Sequence, residues 1–353
     1  MSHQTNSIPF FVGSYTMPAG HVKYGHGEGI SSCRLNLETG EITREHVLGG
    51  IDNPSYLARD PRSPFLYVAS ESFEGLSRVH SFQIGTDNHL TAVSEQPTHG
   101  GANCHVHCFG DQLFSASYVN GNMAVYSIDN GRLSFDQLAK YQGNGPNTNR
   151  QESAHAHQAM TTPDGRWLYV CDLGSDKIWR HSLNRFKGEP DGFTRVPGGS
   201  GPRHLAFHPT MPFAYVVSEL STHLLVCDYD AETGGLTIVE ELTTLPQDYN
   251  GTPAAAAVRV HPAGRAIYFS NRQHNSVTTF SIDGTGSLKL VNCQLSGGEE
   301  PRDINVDPSG QFLLIANQDG DNIAVRRLDP KTGLPGSELI HKFVCKTPVN
   351  IEF

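Results

Sequence analysis

Five side chains in this sequence could together do acid–base chemistry on an anion. His155 and His157 stand two apart in a His-Ala-His triplet, Arg203 follows a Gly-Pro pair, Glu219 closes an apolar run, and Arg259 sits inside a Val-Arg-Val segment. A carboxylate and an imidazole can take and return a proton near neutral pH, as general base and general acid steps require. Guanidinium groups are not bases. Their fork of N–H donors suits a carboxylate, a phosphate or a developing oxyanion.

The elements that must position these groups repeat along the chain. Residues 201–219, GPRHLAFHPTMPFAYVVSE, read as two short strands about a proline-containing turn. Related phrases place their prolyl position at residues 54, 103, 156, 202, 255 and 301, a spacing of 46 to 53 residues. The closing residues TPVNIEF match the first half of the phrase, and residues 9–15, PFFVGSY, match its second half. A seventh unit is thus shared between the two ends. A period near 50 residues made of strand-length runs, without a 3.6-residue apolar spacing, marks propeller blades rather than a helical solenoid. The expectation is an all-β, seven-bladed β-propeller in one domain spanning residues 1–353. Pairing of its N- and C-terminal strands in one blade would close the ring and leave no open edge.

Each unit also carries an outer hairpin, such as NMAVYSIDNGRLSFDQL at 122–138, whose Asn-Gly turn supplies the positive-φ positions of a tight connection. Two longer polar joins, 142–153 and 246–253, lead into inner strands and mark a functional rim. Residues 17–28, with His21 and His26, have no strand pattern and read as a solvated loop.

If the first half of the phrase is the innermost strand and the second returns beside it, the start of one and the end of the other share a face. The starts supply Asn53, His105, His155, His157, Arg203 and Arg302. The ends supply Glu71, Tyr118, Asp172, Glu219, Asn271 with Arg272, and Asn317 with Gln318. Arg259 lies further into its inner strand. Polar groups from almost every unit would converge on one mouth of the central channel. For Asn53, Asn271 and Asn317 the alternative is bonding to strand-end backbone, and for Arg272 and Arg302 it is a salt bridge between blades.

Composition narrows the partners. The net charge is −10 with no Lys/Arg run, which argues against nucleic acid. No apolar run is long enough to span a membrane, and MSHQTNSIPF lacks a signal-peptide pattern. Seven cysteines scattered without a CxxC pair suit a reducing compartment, so a cytoplasmic location is expected. His155 with His157, or His105 with His107, could chelate a metal with Asp172 or Glu219 as third ligand, but the expectation is no metal and no cofactor.

HAH followed by PDGRWLYVCDLG, then GPRHLAFHP, FAYVVSEL, VRVHPAGR, SNR and PRDINVDPSGQFLLIANQDGDN, resembles the seven-bladed β-propeller lactonase family over nearly the whole chain. That family includes propeller-type 6-phosphogluconolactonases and the fungal carboxy-cis,cis-muconate cycloisomerase. The resemblance implies an active site at His155, Arg203, Glu219 and Arg259. His157, His105, Glu71, Asp172, Asn271, Arg272, Arg302 and Asn317 would surround the substrate. It implies a metal-free lactonase for an anionic sugar lactone, with a lactonizing cycloisomerase or a purely partner-binding propeller as the other readings. Many members of the family carry a Glu two residues before the Arg of the VRV segment. Here that place is Ala257, which implies an altered specificity.

Overall fold

The computed structural model describes residues 6–353 apart from residues 21, 23, 61, 74 and 76, so His21 lies outside the described residues. Seven four-stranded antiparallel sheets follow one another along the chain. Their inner strands are Pro348–Glu352, Pro54–Arg59, Asn103–Phe109, Ala156–Thr161, Pro202–Phe207, Ala255–Val260 and Pro301–Val306. Each inner strand packs beside the next until the last meets the first, so the ring is closed. The closing blade is mixed: Pro348–Glu352 pairs antiparallel with Ser7–Ser14, with Val12 opposite Ile351, and Ile30–Asn36 and Ile42–Leu48 complete it.

Alternation makes the blades stack. The middle strands are buried on both faces, and the apolar side chains of neighbouring blades interlock. Tyr215, Val217, Phe269 and Phe280 form one such layer, and Phe10, Val12, Phe312 and Leu314 form another across the closure. The outermost strands are half exposed, as in Ile42–Leu48, whose residues alternate between shielded and open positions. His26 is a surface residue whose ring reaches Asp321 at 2.9 Å.

One irregularity recurs and positions the site. In all seven blades the pairing of the inner strand slips immediately after the prolyl position, between Pro54 and Tyr56, Asn103 and His105, Ala156 and Gln158, Pro202 and His204, Ala255 and Val258, Pro301 and Asp303, and, in the closing blade, Pro348 and Asn350. Such a bulge leaves an unpaired residue and re-aims its side chain. The unpaired residues are Ser55, Cys104, His157, Arg203, the pair Ala256 and Ala257, Arg302 and Val349. Six of these, Ser55, Cys104, His157, Arg203, Arg302 and Val349, turn toward the central channel.

Candidate active site

A cavity of about 300 Å³ opens at the mouth where the inner strands begin. Its walls come from two positions of the repeated unit. Bulge residues Cys104, His157 and Arg302 form the floor. Glu71, Tyr118, Glu219 and Arg272, each one residue past the end of a second strand, form the rim with Phe73 and Arg150. Arg203 lies just below, in a narrow continuation that shares Glu71, Cys104 and Arg302 with the cavity above.

Glu219 is the centre of this arrangement. Oε1 receives Arg150 Nη2 at 2.6 Å and Arg272 Nη2 at 3.2 Å. Oε2 lies 3.0 Å from Arg203 Nε, an ion pair without hydrogen-bond alignment. Arg203 also donates from Nη1 to the Ala256 carbonyl at 2.5 Å. Arg203 and Glu219 are brought together by a backbone bond, Glu219 N–H to the Gly201 carbonyl at 2.8 Å. Gly201 has φ +64°, and a Cβ there would stand 2.7 Å from the Leu220 side chain, so this turn needs glycine.

Burial alone would push the Glu219 carboxyl up, but Arg272, Arg150 and Arg203 overrule it and hold the group well below the usual carboxylate range. Burial, reinforced by Arg302 and Arg272, draws the Arg203 guanidinium down to about 10, still protonated at neutral pH. His157 is buried, and that burial, with Arg203 nearby, pushes its imidazole well down, so the ring is neutral. Its Nδ1 makes no hydrogen bond among the described residues. Arg302 donates to the Tyr15 hydroxyl at 2.8 Å, and that hydroxyl donates to Glu71 at 2.7 Å. Burial pushes the Cys104 thiol far up, which leaves no thiolate for nucleophilic work.

The structure divides the expected residues into three groups. Glu219, Arg203, His157, Glu71, Arg272 and Arg302 meet at one mouth. Asp172, Asn271 and Asn317 are last residues of their strands and are occupied structurally. Asp172 accepts from the His155 and Gly174 amides at 2.7 and 3.1 Å and from Trp179 Nε1 at 2.9 Å. Asn271 bonds Thr244, Ser276 and Thr278, and Asn317 bonds Ser296 and Asn322. His155 does not line the cavity. Its ring stacks on Tyr118 at 4.3 Å, with Nδ1 at the Tyr118 carbonyl and Nε2 at Glu152, so it supports the wall.

Arg259 and His105 lie at the opposite end of the channel. They line a second cavity of about 490 Å³ with Tyr56, His107 and Glu352. Four residues beyond the prolyl position, Arg259 has travelled most of the inner strand's length and pairs with Asp303 at 3.1 Å instead of Glu219. His105 is fully buried and packs against Tyr56, with the rings tilted by 35° and their centroids 4.1 Å apart. Ala257 is likewise away from the cavity: it is buried between blades in a core layer with Tyr268 and Ile304, and its N–H donates to Ser270 Oγ. Among the described residues no three His, Cys, Asp or Glu side chains converge as a metal site.

Arg150 and Phe73 escape a repeat-based reading because neither occupies a repeated position. The 142–153 join has the length and polarity of a rim, and its lone arginine is the available signal.

Comparison with known proteins agrees with this architecture. The model of the family described as "Lactonase, 7-bladed beta-propeller" matches residues 9–353, and the chain belongs to that family. A 6-phosphogluconolactonase of Bacillus subtilis is 30% identical over 345 residues, covering 95% of this chain and 96% of that protein. The crystal structure of a candidate 6-phosphogluconolactonase from Bacteroides fragilis superposes with TM-score 0.90 at 28% identity, covering 100% of this chain and 99% of the other. The periplasmic gluconolactonase PpgL of Pseudomonas aeruginosa gives TM-score 0.88 at 27% identity over 98% of each chain.

Proposed function

We propose that this protein hydrolyses an anionic sugar lactone, 6-phosphogluconolactone or a related aldonolactone, at the Glu219 mouth. The observation that carries the reading is one buried carboxylate ringed by Arg150, Arg203 and Arg272, with Arg302 close by. Four guanidiniums against Glu219 and Glu71 leave an excess of positive charge in a protein whose net charge is −10. A local excess of that kind concentrates an anionic substrate. The volume suits a small molecule rather than a polymer.

The chemistry follows from the groups present. Glu219 takes a proton from water as the water oxygen attacks the lactone carbonyl. Arg203 and Arg272 stabilise the oxyanion that forms on the carbonyl oxygen, inside a site largely closed to solvent. Glu219 then gives the proton it took to the ring oxygen as the acyl–oxygen bond breaks, beside the neutral His157, whose imidazole helps to orient the substrate. The net reaction is lactone plus water giving the open hydroxy acid. We assign the protein to a reducing compartment on the strength of its seven free thiols.

The test is acid release by the purified, chelator-treated protein from 6-phosphogluconolactone, gluconolactone and galactonolactone, corrected for spontaneous opening. Release well above the spontaneous rate from at least one of them is expected. No release from any would overturn the reading, and consumption of a carboxymuconate instead would assign the site to lactonization.

A further inference from the structure

Arg150 differs from the other arginines of the site in origin and exposure. Its side chain is 44% exposed, against 3% for Arg203 and 11% for Arg272, yet it makes the shortest contact to Glu219. It reaches across from the join before the fourth blade, while Glu219 belongs to the fifth. The backbone beneath it is fixed. The Asn147 carbonyl accepts from the Arg150 and Gln151 amides at 3.0 and 2.7 Å, and the buried Gln151 side chain binds the Leu173 carbonyl and Asp176 at 2.9 and 2.8 Å. Only the guanidinium is free to move, by side-chain rotation and without any opening of the loop.

An anion entering the cavity meets Arg150 first. Arg203 is bound below by the Ala256 carbonyl and Arg272 by the Ala255 carbonyl at 3.1 Å, whereas the non-Glu219 partner of Arg150 is the Tyr118 hydroxyl at 3.4 Å. A phosphate or carboxylate offers the guanidinium two oxygens in place of one.

We propose that Arg150 is a specificity clasp: it covers Glu219 Oε1 together with Arg272, and the anionic group of the substrate draws Arg150 away, leaving only Arg272 on Oε1 and a lone pair of that oxygen open to accept a proton from water. Binding of the correct charge and exposure of the base are then one event. A neutral lactone does not draw Arg150 off and meets a covered carboxylate. The catalytic half of this proposal rests on the lactonase reading; the anion-binding half does not.

Arg150→Gln and Arg150→Lys decide it. On 6-phosphogluconolactone, kcat/KM of the Gln variant falls by about thirtyfold or more, while on unphosphorylated gluconolactone it rises severalfold because Arg150 no longer covers Oε1. The acid limb of the kcat/KM profile moves to higher pH in the Gln variant, since one of three cations facing Glu219 is gone. Arg150→Lys keeps the charge but not the fork and falls in between. Calorimetric titration with inorganic phosphate shows binding to the wild type that is weakened about tenfold or more in the Gln variant. Equal losses on both lactones, or an unmoved acid limb, would overturn the clasp, and so would unchanged phosphate affinity. If the wild type opens no lactone the lactonase reading fails separately, and the phosphate titration still judges Arg150.

Discussion

Glu219 and Asp303 are two buried carboxylates of the same channel, and they meet arginine in opposite proportions. Glu219 faces Arg150, Arg203 and Arg272. Asp303 forms an ion pair with Arg259, and its second oxygen accepts from Asn350 Nδ2 at 2.9 Å and the Ile351 amide at 3.0 Å. The first carboxyl is held low by its cations. The second is raised, because burial outweighs Arg259 and the backbone N–H donors. An arginine–carboxylate pair leaves no charge over; at Glu219 a surplus of cations remains. At the Asp303 end charges balance, and since Asn350 and Ile351 lie on the ring-closing strand, the pair stitches the propeller shut.

That contrast can be broken in several ways. The largest effect is expected from Glu219→Gln, which lowers kcat by about a thousandfold while the circular dichroism stays that of a β protein. An Arg259→Met variant that lost as much activity per folded molecule would erase the distinction between the ends. Asp303→Asn strands the buried Arg259 guanidinium and costs about 3 kcal/mol or more in urea unfolding; a stability equal to wild type would show that the pair does not hold the closure. His157→Asn lowers kcat by about tenfold, whereas His155→Asn acts through the Tyr118 wall and shows chiefly in KM; steady-state kinetics of the two separates them.

The smallest effect belongs to Glu352, whose carboxyl burial pushes up to about 7 while the Arg59 amide donates to it at 2.9 Å. A folded-state value above the unfolded one favours the protonated form. The stabilisation is therefore full below the unfolded value near about 4.3 and is lost as pH rises through the folded value. Glu352→Gln should melt a few degrees above wild type at pH 8 and close to it at pH 5, by an amount ~2–4 °C typical of about 1 kcal/mol. Parallel melting curves of Tm against pH would remove the assignment.

Much of this was legible in the repeated phrase. Apolar runs separated by turn residues at a constant spacing encode local strands, and seven copies with the last split between the ends encode a closed ring. Charge type was legible too, since Arg203, Arg302, Glu71, Glu219 and Arg272 recur at two related positions of the unit. Orientation was not. In a strand one residue of register turns a side chain to the other face, and the bulge after each prolyl position is a product of pairing between strands. It sends His157 to the cavity and His155 behind Tyr118, although the triplet makes them look equivalent.

What the sequence by itself determined is therefore the repeat, the fold and the kinds of charged group brought to the candidate site, because each follows from short-range patterns of residue type. Only the tertiary structure decided that Arg150 lines the Glu219 cavity and Arg259 the cavity at the other end. One reaches Glu219 from 69 residues away in the chain, and the other is carried along its inner strand to the opposite mouth. Contacts of that kind depend on where neighbouring blades come to rest, and no local spacing records it.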